Sequence, residues 1–149
     1  MNAEKFWLGW LKVTMILMIV GGAFLVIFSQ FFNSAFFNAR IDKVFFDGLN
    51  LNQNLESLKN WYTGVTEAVM LGWGITMLYI VNHSLQQKES WAWRSIFYPV
   101  IAWYILDSGI SAYYGVLINV VINSVFFLQI MAPLLFLRNQ FFTKIKVLT

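Results

Sequence analysis

The sequence predicts an all-α membrane protein: an antiparallel four-transmembrane-helix bundle with an interfacial amphipathic helix between spans one and two. Three observations carry this reading. Hydrophobic residues make up 59% of the 149 residues and charged ones only 11%, against roughly 25% charged in an ordinary soluble domain. No Asp, Glu, Lys or Arg occurs from Val13 to Ala39, and Asp107 is the one charged residue between Ser95 and Leu137. Each of these stretches can cross a hydrocarbon core of about 30 Å at about 1.5 Å per helical residue. Finally, backbone N–H and C=O groups find no water in hydrocarbon, so helices that satisfy them internally are the economical form for such runs.

The chain reads as a single transmembrane domain, 1–149. Span one covers about 6–28, with Lys5 and Lys12 at its start. It is longer than the apolar core of a secretory signal peptide and no A-x-A cleavage site follows, so it is expected to stay as an anchor. In the connection 31–60, Phe31, Phe32, Phe36, Phe37, Ile41, Val44 and Phe45 recur at helical spacing among Asn33, Asn38, Arg40, Asp42 and Lys43. That pattern predicts a helix lying in the membrane interface, broken at Asp47-Gly48 and followed by a polar lead-in to Asn60. Spans two, three and four are expected at about 61–81, 92–112 and 115–137, the last two joined by a tight turn around Tyr113 to Gly115. Pro99 is expected to kink span three.

Charge sets the orientation. With the N-terminus inside, Lys5, Lys12, Lys88, Arg94, Arg138, Lys144 and Lys146 are cytoplasmic and Arg40, Lys43 and Lys59 lie outside. Seven basic residues against three predict both termini in the cytoplasm. Trp61, Tyr62, Trp91, Trp93, Tyr113 and Tyr114 fall at span ends, where aromatic belts form.

The same inventory removes several chemistries. Without cysteine there is no disulfide, thiolate metal site, Fe–S cluster or cysteine nucleophile. A lone histidine, His83, cannot build a metal site and reads as a solvated loop residue. The basic residues flank spans singly or in small groups, so the formal charge of +3 is a topology signal and nucleic acid is not an expected partner. No G-x-S-x-G, H-E-x-x-H or P-loop pattern occurs. The single D-S-G triplet at Asp107 lies in a helix, unlike the paired loops of aspartic proteases. No cofactor or metal is expected.

What remains is a polar layer. Glu67 lies six residues into span two and Asp107 about five residues before the end of span three, which puts both at a similar depth, roughly 7–9 Å inside the outer boundary. Asn119 and Asn123, at i and i+4, share a face of span four. Thr63 precedes Glu67 by one turn, and Ser111 and Tyr114 follow Asp107 by one and two turns. A carboxylate at such depth is costly as an anion, and intramembrane acids mark functional sites by default. The bland alternative is that these groups join helices by hydrogen bonds. Gly64, Ala68 and Gly72 form a small-residue row on span two, expected to let another helix approach closely, within the bundle or in a homo-oligomer.

Gly72-Trp73-Gly74, Trp91-Ala92-Trp93-Arg94, Asp107-Ser108-Gly109 and the Asn119/Asn123 pair together resemble a family of small, uncharacterised bacterial four-helix inner-membrane proteins. The resemblance is best in the second half of the chain and implies a bacterial inner (cytoplasmic) membrane without supplying an activity. The leading functional expectation is non-enzymatic: binding, with or without movement, of a lipophilic or amphipathic ligand in an outer-leaflet pocket of Glu67, Asp107, Asn119 and Asn123. A second is a proton-shuttling isomerase acting on a lipid-like substrate, for which the chain is similar to the four-helix sterol isomerases in size, span number and buried acids alone. A third is an accessory subunit of a membrane complex. The expected partners are membrane lipids, a lipophilic small molecule, and a second copy or a larger assembly.

The absence of native cysteine makes the topology directly measurable. Single cysteines introduced at Gln87 and Asn52 should react with a membrane-impermeant maleimide from opposite sides of the bilayer. Reaction of both from one side would overturn the orientation.

Overall fold

The computed structural model of the chain describes residues 3–32, 38–47 and 52–142. Among them every regular element is helical: α1 (Ala3–Phe32), α2 (Asn38–Phe46), α3 (Gln53–Asn82), α4 (Ser90–Tyr113) and α5 (Leu117–Phe142). α1 over Ala3–Phe28, α3 and α5 are each long and apolar enough to cross a membrane, and the chain is a membrane protein. α4 has a comparable length of 24 residues, but its Trp, Tyr, Pro99 and Asp107 interrupt it, so it lacks a continuous stretch as apolar as those in the other three.

The helices differ in extent from the sequence expectation. α3 begins at Gln53 rather than near Trp61, because Asn52 caps it: the extended Asn52 accepts from Leu55 N through Oδ1 at 2.9 Å. Glu56 adds an acid in the first turn, where the helix dipole favours one. The polar lead-in is therefore the start of the helix. α1 runs on to Phe32, and the nine-residue α2 is what the described residues contain of the expected interfacial helix. Asn33, Phe36, Phe37 and Gly48, with Lys144 and Lys146, lie outside the described residues.

Between α4 and α5 the chain turns within a few residues. Gly115, at φ +77°, takes the left-handed conformation that glycine adopts without steric cost. Gly115 N bonds Ala112 O at 3.1 Å and Val116 N bonds Ser111 O at 2.8 Å, the paired closure of a Schellman turn. α5 is thereby set antiparallel beside α4, its first turns facing the last turns of α4.

α1 packs along α3 and, with another face, against α5; α5 packs along α4; α3 and α4 barely touch. Side chains fill only one end of this arrangement. Leu11, Met15 and Met18 of α1 meet Met77 and Val81 of α3, Ile96 and Val100 of α4, and Leu134 and Leu137 of α5, with Leu85 from the α3–α4 connection as a plug. All of these are buried. Lipid tails are as apolar as these side chains, so contact between close-packed surfaces, more than escape from water, holds this end together.

Two indoles strengthen it. Trp93, expected in an aromatic belt, is instead 4% exposed. Its Nε1 donates to Leu134 O at 2.8 Å and its ring stacks on Phe97 at 4.2 Å, which satisfies the one polar atom that burial would otherwise leave unpaired. Trp10 Nε1 donates to Gln129 O at 3.1 Å. Residue 133, four positions on, is a proline inside α5, and proline has no N–H to offer that carbonyl. The indole of α1 takes the bond that Pro133 cannot make.

Close helix approach occurs at different glycines from the expected row. A Cβ on Gly22 would lie 3.1 Å from Glu67 O and 3.1 Å from Leu71 Cβ, and one on Gly74 3.0 Å from Ile19 Cγ1. Gly64 and Gly72 have nothing within 4 Å of such an atom, and Ala68 is exposed. The row Gly64, Ala68, Gly72 therefore faces away from α1, and it is Gly22 that brings α1 against the backbone of α3 at the level of Glu67.

Gly22→Ala should consequently cost about 1–3 kcal/mol, because backbone must shift to admit the methyl group. Gly72→Ala should be neutral or gain up to about 1 kcal/mol from helix propensity. Reversible unfolding in mixed detergent micelles measures both, and equal effects at the two sites would contradict this packing.

Candidate functional site

At the end opposite the filled core, the helices enclose space. Two chambers of about 600 and 540 Å³ lie there, within the roughly 300–1,000 Å³ typical of small-molecule sites. Both are lined by Thr63, Thr66, Glu67, Asp107 and Asn119, which form a polar septum between them. The inner chamber continues past Asn123 to Met70, Phe126, Trp73 and Trp103. The two indoles meet edge to face at 5.7 Å and bridge α3 and α4 where these helices otherwise stand apart.

The mouth chamber adds Ser111 and Tyr114 of α4, Lys59 and Tyr62 of α3, and Ile41 and Phe45 of α2. α2 lies across it. Asp42 pairs with Lys59 at 2.6 Å, and the Phe45 ring meets Tyr114 at 5.9 Å. Phe45, expected to face lipid, here lines the mouth and remains half exposed.

Asp107 is the most heavily hydrogen-bonded group in the site. Its Oδ1 accepts from Asn119 Nδ2 at 2.7 Å, Asn123 Nδ2 at 2.8 Å and Ser111 Oγ at 3.3 Å. Asn119 Nδ2 also donates to Ser111 Oγ at 2.8 Å, and Asn123 Nδ2 lies 3.4 Å from Ser108 Oγ. Helical spacing explains the set: Asp107 and Ser111 are one turn apart on α4, Asn119 and Asn123 one turn apart on α5, and the turn at Gly115 opposes the two pairs. Just below, Tyr104 Oη and Ser124 Oγ are 3.0 Å apart and Tyr104 stacks on Phe127 at 4.3 Å.

Glu67 is treated differently. Its Oε2 is buried with no hydrogen-bond partner among the described residues, an uncommon state for a buried oxygen. Thr66, its neighbour, donates its hydroxyl to Tyr62 O at 2.9 Å.

All seven side chains expected in the polar layer line these chambers. Thr63, Glu67, Asp107 and Asn119 line both, Ser111 and Tyr114 the mouth, and Asn123 the inner one. Sequence reasoning missed Thr66, Tyr104, Ser108, Ser124 and the Trp73/Trp103 pair. Tyr104 precedes Asp107 by three residues, so helical spacing pointed to it; nothing in the sequence pointed to Ser124 or to the indole pair. His83 is exposed, with Nδ1 3.0 Å from Tyr79 O. Among the described residues no three metal-ligating acids or histidines come together.

The arrangement can hold one polar group of a guest at the septum with apolar surface on the inner side. Comparison with protein-family models, curated proteins and solved structures finds no match to this chain.

The bonds on Asp107 are testable by a double-mutant cycle. Asn123→Ala should cost about 1–2 kcal/mol by removing a donor from a carboxylate. Asp107→Asn should cost less, since an amide oxygen accepts from the same groups. The pair should couple by more than about 0.5 kcal/mol; strictly additive effects in a thermal or detergent unfolding assay would remove the donor shell described above.

Proposed function

We propose that this protein binds a lipophilic or amphipathic small molecule in the outer-leaflet half of a four-helix membrane bundle. The observation that supports this most is the shared septum: five residues, two of them acids, line both chambers, so a guest's polar group and its apolar body each have a place. The reading takes α4 as the fourth span. Its 24 residues reach about 36 Å at 1.5 Å each, and it runs antiparallel beside α5 from the Trp93–Leu134 bond to the Asp107–Asn119 bond. α2, with Ile41, Val44 and Phe45 spaced around Arg40, Asp42 and Lys43, is taken as the interfacial helix over the mouth.

The basic residues favour the filled end as cytoplasmic. There Lys88 pairs with Glu4 at 3.0 Å, and Arg94 lies over the Phe142 ring at 5.4 Å. The septum then lies toward the opposite leaflet, with both termini inside. A bacterial inner membrane is the location that the sequence resemblance implies.

Gly21 offers a clean test, because it lines the inner chamber and a Cβ there meets nothing within 4 Å. Gly21→Leu should fill the chamber without strain. A long-chain alcohol carrying a diazirine should photolabel peptides containing Trp73, Trp103 or Phe126 in the wild type. Gly21→Leu should lose that labelling with its melting temperature unchanged or raised. Equal labelling of these peptides in both proteins, or labelling confined to lipid-facing positions such as Ile27 and Leu135, would refute the pocket.

A further inference from the structure

The pattern of donors and acceptors at the septum narrows the guest's chemistry. The amide donors of the septum and the Ser111 and Thr66 hydroxyls are already engaged. Both asparagine amides point their N–H groups at Asp107, Ser111 Oγ donates to the same carboxylate oxygen, and Thr66 donates to Tyr62 O. An amide whose nitrogen is occupied in this way leaves its carbonyl oxygen as an acceptor. Acceptors are left over in consequence: Glu67 Oε2, buried without a partner among the described residues, and Oδ1 of Asn119. Thr63 carries a hydroxyl that serves in either role. A guest that only accepts would leave these oxygens unpaired in a low-dielectric space, which is where an unmade bond costs most.

The charge balance points the same way. Glu67 and Asp107 line both chambers, whereas the one basic residue among the described lining, Lys59, sits at the mouth and is held by Asp42 at 2.6 Å. Among the described residues that line the inner chamber there is no cation to meet an anionic headgroup. An ammonium has three donors and no acceptor, so it matches a septum rich in oxygen acceptors, whose five shared residues include no cation. The wall beyond it, with Trp73, Trp103 and Phe126, suits an alkyl or aromatic body, and aromatic faces attract cations as well.

Resting on the pocket reading above, we propose that the ligand is a lipophilic amine, whose N–H groups bond Glu67 while its apolar chain occupies the inner chamber. Glu67 is the recognition residue; Asp107, whose Oδ1 already takes three donors, fixes the asparagines that shape the septum.

The test is competition against the diazirine alcohol in nanodiscs of zwitterionic lipid at neutral pH. Dodecylamine, dodecanol, dodecanoate and dodecyltrimethylammonium share one chain and differ in head. Dodecylamine should displace the label at concentrations about tenfold below dodecanol, as expected where a charge-assisted bond replaces a neutral one. Dodecanoate should be the weakest. Dodecyltrimethylammonium has the charge without an N–H donor, and it should fall well behind dodecylamine. Glu67→Gln should bring dodecylamine to the level of dodecanol measured on the same variant. Equal competition by dodecanol, dodecanoate or the trimethylammonium compound overturns the amine assignment and leaves the pocket standing. So does an amine preference that survives Glu67→Gln. Because the four probes are compared on wild-type protein, their ranking decides the assignment however the variant folds. Chamber labelling that survives Gly21→Leu, by contrast, removes the pocket and the amine together.

Discussion

One oxygen atom organises the open end of this protein. Asp107 Oδ1 lies between two helices and accepts from three side chains, which together compensate the partial removal of this acid from water. The consequence runs through the backbone. Two donors are on α5, so α5 must return beside α4 with Asn119 opposite Ser111, and only a turn as tight as the one at Gly115 does this. The amide orientations follow too, since an acceptor at the centre turns both nitrogens inward and their carbonyls elsewhere. The chemistry of the septum is thus a by-product of satisfying one acid.

The opposite end is governed by volume. Leu, Met, Ile and Val at spacings of three, four and seven interdigitate there, Trp93 fills the space between α4 and α5, and Trp10 supplies the bond that Pro133 withholds from Gln129 O. A closed, rigid end gives the open one fixed walls. The two are joined by α1, which approaches α3 through Gly22 at the level of Glu67 and so ties the position of that acid to the packing of the core. Glu67 owes its place to sterics, and Asp107 owes its own to hydrogen bonding.

Much of this was legible in the residues. The apolar runs marked the three helices long and apolar enough to cross a membrane, and counting turns from the expected span ends grouped Glu67 and Asp107 with Asn119 and Asn123, which line the same chamber. What counting cannot supply is the direction in which a helix face points. Gly64, Ala68 and Gly72 have the spacing of a helix contact, but α1 lies on the face of Gly74, and the sequence carries no mark of that choice. Trp93 is a similar case: a tryptophan at a span end belongs equally to a lipid interface or to a core, and the Leu134 carbonyl that settles the matter lies 41 residues away. The start of α3 at Gln53 was within reach, because Asn52 followed four residues later by Glu56 is a recognisable helix beginning; the polarity of the segment masked it.

The separation of α3 from α4 has a consequence for how any occupant is supplied. These two helices meet through Trp73 and Trp103 and scarcely elsewhere, so the inner chamber, walled by α1 and α5 on one side, lacks a continuous wall on the other. Under the proposed function, a site open in that direction would exchange with the bilayer, and the quantity it would sense is mole fraction among lipids. Its occupancy then falls when lipid is added at constant total ligand, even though nothing in the aqueous phase has changed. The membrane would then act as solvent, reservoir and competitor at once.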